Sequence, residues 1–289
     1  MKYIPTIALA LAGLFLVPSL DAKPLEKESS RHSSSKAKKT KKGKKSKKAK
    51  NGKKARKDKA AAPEQITKLA LQPLEVTPEQ KELAIKKLAE QKITPEKYAV
   101  QLGSDCWNGK AENVLLLLQA GADPNSVSKS GETVLYESAL KEHRECVELL
   151  LRAGADPNKQ NTSNQRVPLS PAVNLGHDEC VKLLIDAGAD VNYIPLGRTS
   201  MLVAAVASNR TECIKLLLAA GANPNTRDQW GGSALRNLIV KKNEECVKLM
   251  IGAGADVHEI TPDGLTLLQI AEKSSTPAIV KMLKAAGAK

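Results

Sequence analysis

The chain has 289 residues and a formal net charge of +14 at neutral pH. Residues 23–59 account for this charge, with 18 Lys and Arg against 3 Asp and Glu, whereas residues 60–289 are close to neutral. Aromatic residues make up only 2% of the chain, so a core must be built from Leu, Ile, Val and Ala, which argues against a sheet and favours packed helices.

Residues 1–22 have the pattern of an export signal. A basic start is followed by an uncharged run over residues 4–17 and by a zone of small residues that ends at Ala22, where we expect cleavage. The apolar run is shorter than the roughly 20 residues that span a bilayer, so a retained membrane anchor is the weaker alternative. The segment predicts an exported protein, either periplasmic or secreted.

Residues 23–62 form a linker rich in lysine, most densely over residues 36–59. This composition offers too little apolar surface to offset the entropy of ordering, and it predicts disorder. Two roles remain open. The linker binds a dense polyanion such as nucleic acid, anionic lipid or envelope phosphate, or it is a soluble spacer.

Residues 63–94 regain apolar side chains and predict a helical lead-in. Thr77, Pro78 and Gln80 form an N-cap, a proline at the first helical position and a capping box, followed by an apolar stripe that includes Leu83, Ala84 and Leu88. The same start signal returns at Thr94-Pro95-Glu96, which predicts a second short helix.

A repeat of 33 or 34 residues runs through the rest of the chain. A Gly-Ala pair, in all copies but the last followed by Asp or Asn, marks the end of each copy, at Gly121, Gly154, Gly188, Gly221, Gly254 and Gly287. A similar sequence with helical character precedes most of these glycines, for example Cys146-Val147-Glu148-Leu149-Leu150. Each copy therefore predicts a helix that ends at a glycine in the left-handed conformation.

Over residues 95–289 this pattern resembles the ankyrin repeat, with helix openings at residues 133–139, 167–172 and 266–271. Few copies keep the proline or histidine that is typical of that opening. The resemblance implies an all-α solenoid of about six helix-turn-helix units with short β-hairpin fingers. The units are expected to end near residues 124, 157, 191, 224, 257 and 289.

Cysteine and histidine recur at fixed repeat positions. Neighbouring cysteines of the column should lie a helix diameter apart, beyond the reach of a disulfide, so we expect buried, unreactive thiols, and Cys106 is expected to belong to the core as well. Five free thiols are unusual in an exported protein, and they are the best argument against an export signal. His143 and His177 are expected to hydrogen-bond to backbone between the two helices of a unit, with metal binding as the weaker alternative.

No catalytic or cofactor motif stands out, so we expect no enzyme activity, no cofactor and no metal site. The resemblance implies instead that a monomer binds another protein on a concave face made of finger tips and first helices. Trp230 is the strongest candidate, unless it packs along a neighbouring finger, and Trp107 extends the same stripe. The complete predicted set is Lys129, Ser130, Glu132, Lys141, Asn164, Arg166, Asn174, Leu175, Leu196, Thr199, Ser208, Gln229, Trp230 and Lys241.

Overall fold

The computed structural model describes residues 71–195, 199–261, 263–274 and 276–289. The predictions for the export signal, the linker, the first part of the lead-in and Leu196 lie outside these residues. Within the described part of the chain, no helix is long and apolar enough to cross a membrane.

The described residues form one lead-in helix followed by six helical hairpins, in agreement with the predicted solenoid. The lead-in helix is α1 (Pro78–Glu90). The first helices of the hairpins are α2 (Tyr98–Trp107), α4 (Val134–Leu140), α6 (Leu169–Leu175), α8 (Met201–Ala207), α10 (Ala234–Val240) and α12 (Leu267–Lys273). The second helices are α3 (Ala111–Ala120), α5 (Arg144–Arg152), α7 (Asp178–Asp186), α9 (Thr211–Ala219), α11 (Glu244–Gly252) and α13 (Pro277–Ala285).

Polar caps and left-handed residues set the ends of these helices. Thr133 and three other Ser or Thr residues accept the backbone N–H of the third helical residue, which satisfies a donor that the helix leaves unpaired. The second helices end before a glycine with positive φ, as predicted, for example +91° at Gly154. The fingers between hairpins hold no continuous strand among the described residues. Three of them are closed by the single bridges Val127–Thr133, Arg227–Ser233 and Ile260–Thr266.

The hairpins stack so that first helices pack on first helices and second helices on second helices. One buried Leu column runs through the first helices at Leu102, Leu135, Leu169, Leu202, Leu235 and Leu268. Another runs through the second helices at Leu117, Leu150, Leu184, Leu217, Met250 and Leu283. A single hairpin cannot cover its own apolar face, so each of these side chains is buried only because a neighbour is present.

The lead-in helix α1 covers the open end of this stack. Its capping box is formed as predicted: Gln80 N donates to Thr77 Oγ1 over 3.2 Å, and Thr77 N donates to Gln80 Oε1 over 2.9 Å. Ala84 and Leu88 are buried in the common core, and α1 packs on α3 as the second helix of a preceding hairpin would. Leu83 was predicted to share that stripe, but it is 53% exposed because it points away from α3.

The second start signal belongs to the first hairpin and not to a separate lead-in helix. Residues Pro95–Lys97 form a 3₁₀ turn that continues directly into α2, without a side-chain cap from Thr94. Upstream of α1, the chain also reaches the second hairpin. Leu74 N donates to the carbonyl of Arg152 over 2.7 Å, and Arg152 Nε donates to the carbonyl of Gln72 over 3.0 Å.

A ladder of asparagine side chains joins consecutive hairpins where each second helix ends. Asn192 is typical: its Nδ2 donates to the carbonyl of Gly221 over 3.1 Å, and its Oδ1 accepts the N–H of Asn223 over 2.8 Å. Asn125, Asn158 and Asn225 make the same pair of bonds to the hairpin that follows each of them. At four of the five junctions one amide therefore satisfies two backbone groups and fixes the spacing of the hairpins.

We expect Asn192→Ala to lower the free energy of unfolding by about 1–3 kcal/mol, because two hydrogen bonds of about 0.5–1.5 kcal/mol each are lost at one junction. Urea titration followed by circular dichroism measures the change. Asn174→Ala is the matched control, since Asn174 is exposed at the end of α6. Equal stability of the two variants would contradict a structural role for the ladder.

Candidate functional site

The predicted binding residues that the structure describes lie at recurrent positions, which we call the finger face. It comprises the described residues of the finger loops 126–133, 159–167, 193–200, 226–233 and 259–266, together with the exposed ends of the first helices. Among its described members, Glu132, Arg166 and Thr199 are half-buried. The others are exposed: Lys129, Ser130, Lys141, Asn164, Asn174, Leu175, Ser208, Gln229, Trp230 and Lys241.

Trp230 stands at the tip of the fifth hairpin's finger and is 78% exposed. It therefore does not pack along a neighbouring finger, which was the alternative role for this side chain. The finger beneath it is rigidly built: Asp228 Oδ1 accepts the N–H groups of Trp230 over 2.9 Å and Gly232 over 2.8 Å, and Asp228 Oδ2 accepts Asn237 Nδ2 over 3.0 Å. Gly231, at φ +79°, makes the turn that these bonds require.

The electrostatics of this finger keep Asp228 ionised. Partial burial raises the pKa of Asp228, but hydrogen bonds from Asn237, Gly232 and Trp230 and the charge of Arg236 together outweigh burial, so the pKa lies below its usual value. The finger is also tied to the next one. Arg227 Nη1 donates to the carbonyl of Gly231 over 2.8 Å and to Glu259 Oε1 over 2.6 Å.

A second cluster forms around Trp107 at the end of α2. The Lys141 ammonium lies 4.0 Å from the centroid of the Trp107 ring, so two residues that were singled out separately form a cation–π pair. His143 Nε2 donates to the carbonyl of Trp107 over 3.1 Å, and His177 Nδ1 donates to that of Ala139 over 2.9 Å. Both histidines bond to backbone as predicted, but each bond joins a hairpin to the preceding one and not the two helices of one hairpin.

The finger of the third hairpin, which carries the extra residue of the 34-residue spacing, folds differently from the others. Asn164 Oδ1 accepts the N–H of Arg166 over 3.0 Å, and Gln165 takes a positive φ of 54°. Arg166 Nη1 lies 3.4 Å from the hydroxyl of Tyr136, so this guanidinium spans two hairpins. Asn164 and Arg166 therefore shape the finger as well as presenting polar groups.

Sequence reasoning missed a groove between the first two hairpins, with a volume of about 350 Å³. Exposed Val100 and Val127 form part of its walls, and the predicted residue Lys129 lies at its side. Glu137, on α4, lines the groove and is only 5% exposed. Burial raises the pKa of Glu137, a trend that the Ser128 hydroxyl opposes and the charge of Glu132 reinforces.

The cysteine column is buried and unpaired, as the repeat spacing predicted. Burial raises the pKa of Cys146 and Cys180 to about 11, and it raises the pKa of Cys106, Cys213 and Cys246 as well. The thiols are therefore protonated at neutral pH, the form that does not attack disulfides or alkylating agents. In the described residues, no three His, Cys, Asp or Glu side chains are grouped so as to hold a metal ion.

Residues 98–194 and 201–289, more than half of the chain, match the family model described as ankyrin repeats (3 copies). Among solved structures, the chain is similar to the crystal structure of an ankyrin repeat domain from Acinetobacter baumannii AYE. The two share 26% sequence identity with a TM-score of 0.60, over 65% of this chain and 98% of that one. The search of curated proteins found no match.

We expect none of the five thiols to react with Ellman's reagent within minutes at pH 8 in the native protein, and all five to react in guanidinium chloride. The physical reason is burial together with pKa values that keep the thiols neutral at that pH. Leu175→Cys is the control, because position 175 is exposed and an added thiol there should react at once. Immediate reaction of two or more native thiols would contradict the buried column.

Proposed function

This chain belongs to the ankyrin-repeat family, whose repeats mediate protein–protein interactions, and on that basis we propose that it is a non-enzymatic scaffold that binds a partner protein through the finger face. The observation that carries the proposal is the exposed Trp230 side chain on a finger fixed by Asp228. A large apolar ring in water has no stabilising role within the chain, whereas tryptophan is among the residues that contribute most at protein interfaces.

The rigidity of the finger supports this choice. Because Asp228, Gly232 and Arg227 already hold the loop in one conformation, a partner would not have to order it, and less binding free energy would be lost on association. Gln229, exposed next to Trp230, offers a polar group at the edge of the same contact. This arrangement of an aromatic centre with a polar rim is typical of protein interfaces.

The remaining predicted residues would extend the interface over neighbouring hairpins. Lys141 and Trp107 offer a cation and a ring that are already held together, and Leu175 is a second exposed apolar side chain. The polar members complete the rim: Lys129, Ser130, Glu132, Asn164, Arg166, Asn174, Thr199, Ser208 and Lys241. Leu196, although apolar and outside the described residues, belongs to the same proposed set. We propose that the chain binds its partner as a monomer.

We also propose that the protein is exported and that its Lys-rich linker contacts anionic surfaces. The charge of residues 23–59 supports the second statement, since a dense cationic segment is drawn to polyanions. The buried cysteines remove an objection to the first. Thiols without solvent access and with raised pKa values resist oxidation, so five unpaired cysteines are compatible with an oxidising compartment.

The alternative function is a polyanion binder in which the linker carries the activity and the hairpins are passive. The number of lysines in residues 36–59 is the observation that favours it. In this alternative the linker binds and the hairpins do not, whereas in the first function the hairpins bind. Deletion of the linker therefore separates the two functions.

We expect Trp230→Ala to weaken capture of the partner protein by at least about thirtyfold, which corresponds to the roughly 2 kcal/mol that marks an interface hot spot. Affinity capture with quantitative mass spectrometry measures it. Leu83→Ala is the matched control, because Leu83 is also an exposed apolar side chain but lies on α1, away from the finger face. Equal recovery of the partner by both variants would remove Trp230 from the interface.

Deletion of residues 36–59 should leave capture of the protein partner intact and abolish salt-dependent retention on heparin. Counterion release makes binding by a polylysine segment fall steeply with salt, whereas an apolar contact at Trp230 is much less affected. Titration of sodium chloride for the two proteins makes the comparison. Loss of all partner binding on deletion would favour the polyanion function.

A further inference from the structure

The groove between the first two hairpins combines apolar walls with a buried acid. We call it the Glu137 groove; its lining includes Val100, Gly103, Trp107, Val127, Lys129 and Glu137. Two valines and the indole ring supply apolar walls, and all three side chains are exposed, although the Lys141 ammonium lies over one face of the indole ring. A carboxyl group lines the groove between these walls.

That carboxyl group is incompletely satisfied. Glu137 is about nineteen-twentieths buried, yet its Oε2 has no hydrogen-bond partner among the described residues. Lys129 lines the same groove, but its ammonium forms no ion pair with Glu137 there. A buried acceptor without a partner is costly, and native proteins retain such groups mainly where another function requires them.

In the fifth hairpin, the side chain at the repeat position of Glu137 has a hydrogen-bond partner. Asn237 occupies the repeat position of Glu137, and Asp228 that of Ser128, as the matching finger bridges show. There the amide of Asn237 donates to Asp228 over 3.0 Å. In the second hairpin the pair is Glu137 and Ser128, but the Ser128 hydroxyl lies 2.7 Å from that of Ser130, and Glu137 Oε2 has no partner among the described residues.

The first hairpin leaves room in front of the free oxygen. Gly103 stands where the next hairpins carry Tyr136 and Ser170 and the fifth carries Arg236. A Cβ atom built on Gly103 would lie 4.0 Å from Glu137 Oε2, so any longer side chain at position 103 would extend into the space over the carboxylate. Oε2 itself is shielded from water, and glycine at position 103 leaves it with the least steric cover that a residue there can give.

We propose that the Glu137 groove binds a lysine or arginine side chain that an extended segment of the partner protein inserts between Val100 and Val127. The charged end would donate to Glu137 Oε2, and the aliphatic stem would pack on the valines and on the ring of Trp107. Charge complementarity selects this occupant, because the groove holds an unpaired buried acid between apolar walls. The inference rests on the proposed function, since it names the chemistry of one partner residue.

The test uses the full-length protein and two pentapeptides, acetyl-Ala-Ala-Lys-Ala-Ala-amide and the same peptide with norleucine in place of lysine. Norleucine keeps the stem and lacks the charge. Chemical shifts of the Trp107 indole N–H report binding. We expect the lysine peptide to bind at least about tenfold more tightly than the norleucine peptide, as for one charge-assisted hydrogen bond.

Two variants make the result specific to the groove. Glu137→Gln should remove the difference between the peptides, and Gly103→Leu should block both, because the added side chain fills the opening while the carboxylate remains. Circular dichroism shows whether each variant is folded, and Gly103→Ala, whose Cβ atom would meet only ordinary contacts of 3.9–4.0 Å, replaces Gly103→Leu if the larger side chain overpacks the site. Equal binding of both peptides, or lysine selectivity that survives in both variants, would overturn the proposal.

Other occupants give distinct results in carbodiimide cross-linking of the isolated protein, which joins a carboxylate to an adjacent amine. A link from Glu137 to a lysine of residues 36–59 would show that the chain's own linker fills the groove, and a link between chains would indicate a second copy. Either link would overturn the assignment to a partner, and we expect neither.

Failure here is separable from failure of the proposed function. Trp230 lies three hairpins away from Glu137, so Trp230→Ala should leave peptide binding unchanged. Loss of peptide selectivity with intact, Trp230-dependent capture would reject the lysine site alone.

Discussion

Every hairpin in this protein has an apolar face that only the next hairpin can cover. The two Leu columns are the physical form of this constraint, because each leucine is buried between neighbours and not within its own pair of helices. Polar groups at the junctions follow the same rule. The asparagine ladder and the histidine–backbone bonds both run from one hairpin to the next, so register, spacing and stability are set at the junctions.

This architecture explains why the candidate site is a surface. Side chains that face the stack are needed for packing between hairpins. The exposed side chains of the fingers and first helices are not, so their chemistry can vary. The chain has used that freedom in two ways. At Trp230 it presents a bare aromatic ring on a rigid loop, and at Glu137 it places a buried acid without a partner for Oε2 beneath a glycine of the preceding hairpin. The first can bind by apolar contact and the second by charge.

The parts of the structure that repeat could be predicted from the sequence. A period of 33 residues predicts the glycine at the helix ends, the buried cysteines and the stacked leucines. A position that is ambiguous in one copy is clear from the same position in the other copies. The capping box of Thr77 and Gln80 could also be predicted, because it is an interaction between residues close in sequence. The position and exposure of Trp230 also agree with what the repeat register implied.

Features that depend on one junction could not be read in this way. The burial of Glu137 requires Ser128 and Gly103 from other elements, and a glutamate on a short helix gives no sign of it. Leu83 and Ala84 are adjacent apolar residues on α1, and only the position of α3 decides which of them is buried. The one local signal was Gly103 itself, which stands alone among larger residues at the same repeat position.

The segment just before α1 has a mechanical consequence. Because Gln72 and Leu74 are bonded to Arg152 on the second hairpin, tension carried by the chain upstream of residue 71 enters the stack at that hairpin and not at its free end. A load of this kind must shear a paired set of hydrogen bonds before it can peel α1 from the first hairpin. Tension on the chain upstream of residue 71 therefore does not act first on the first hairpin, which stands at the end of the stack.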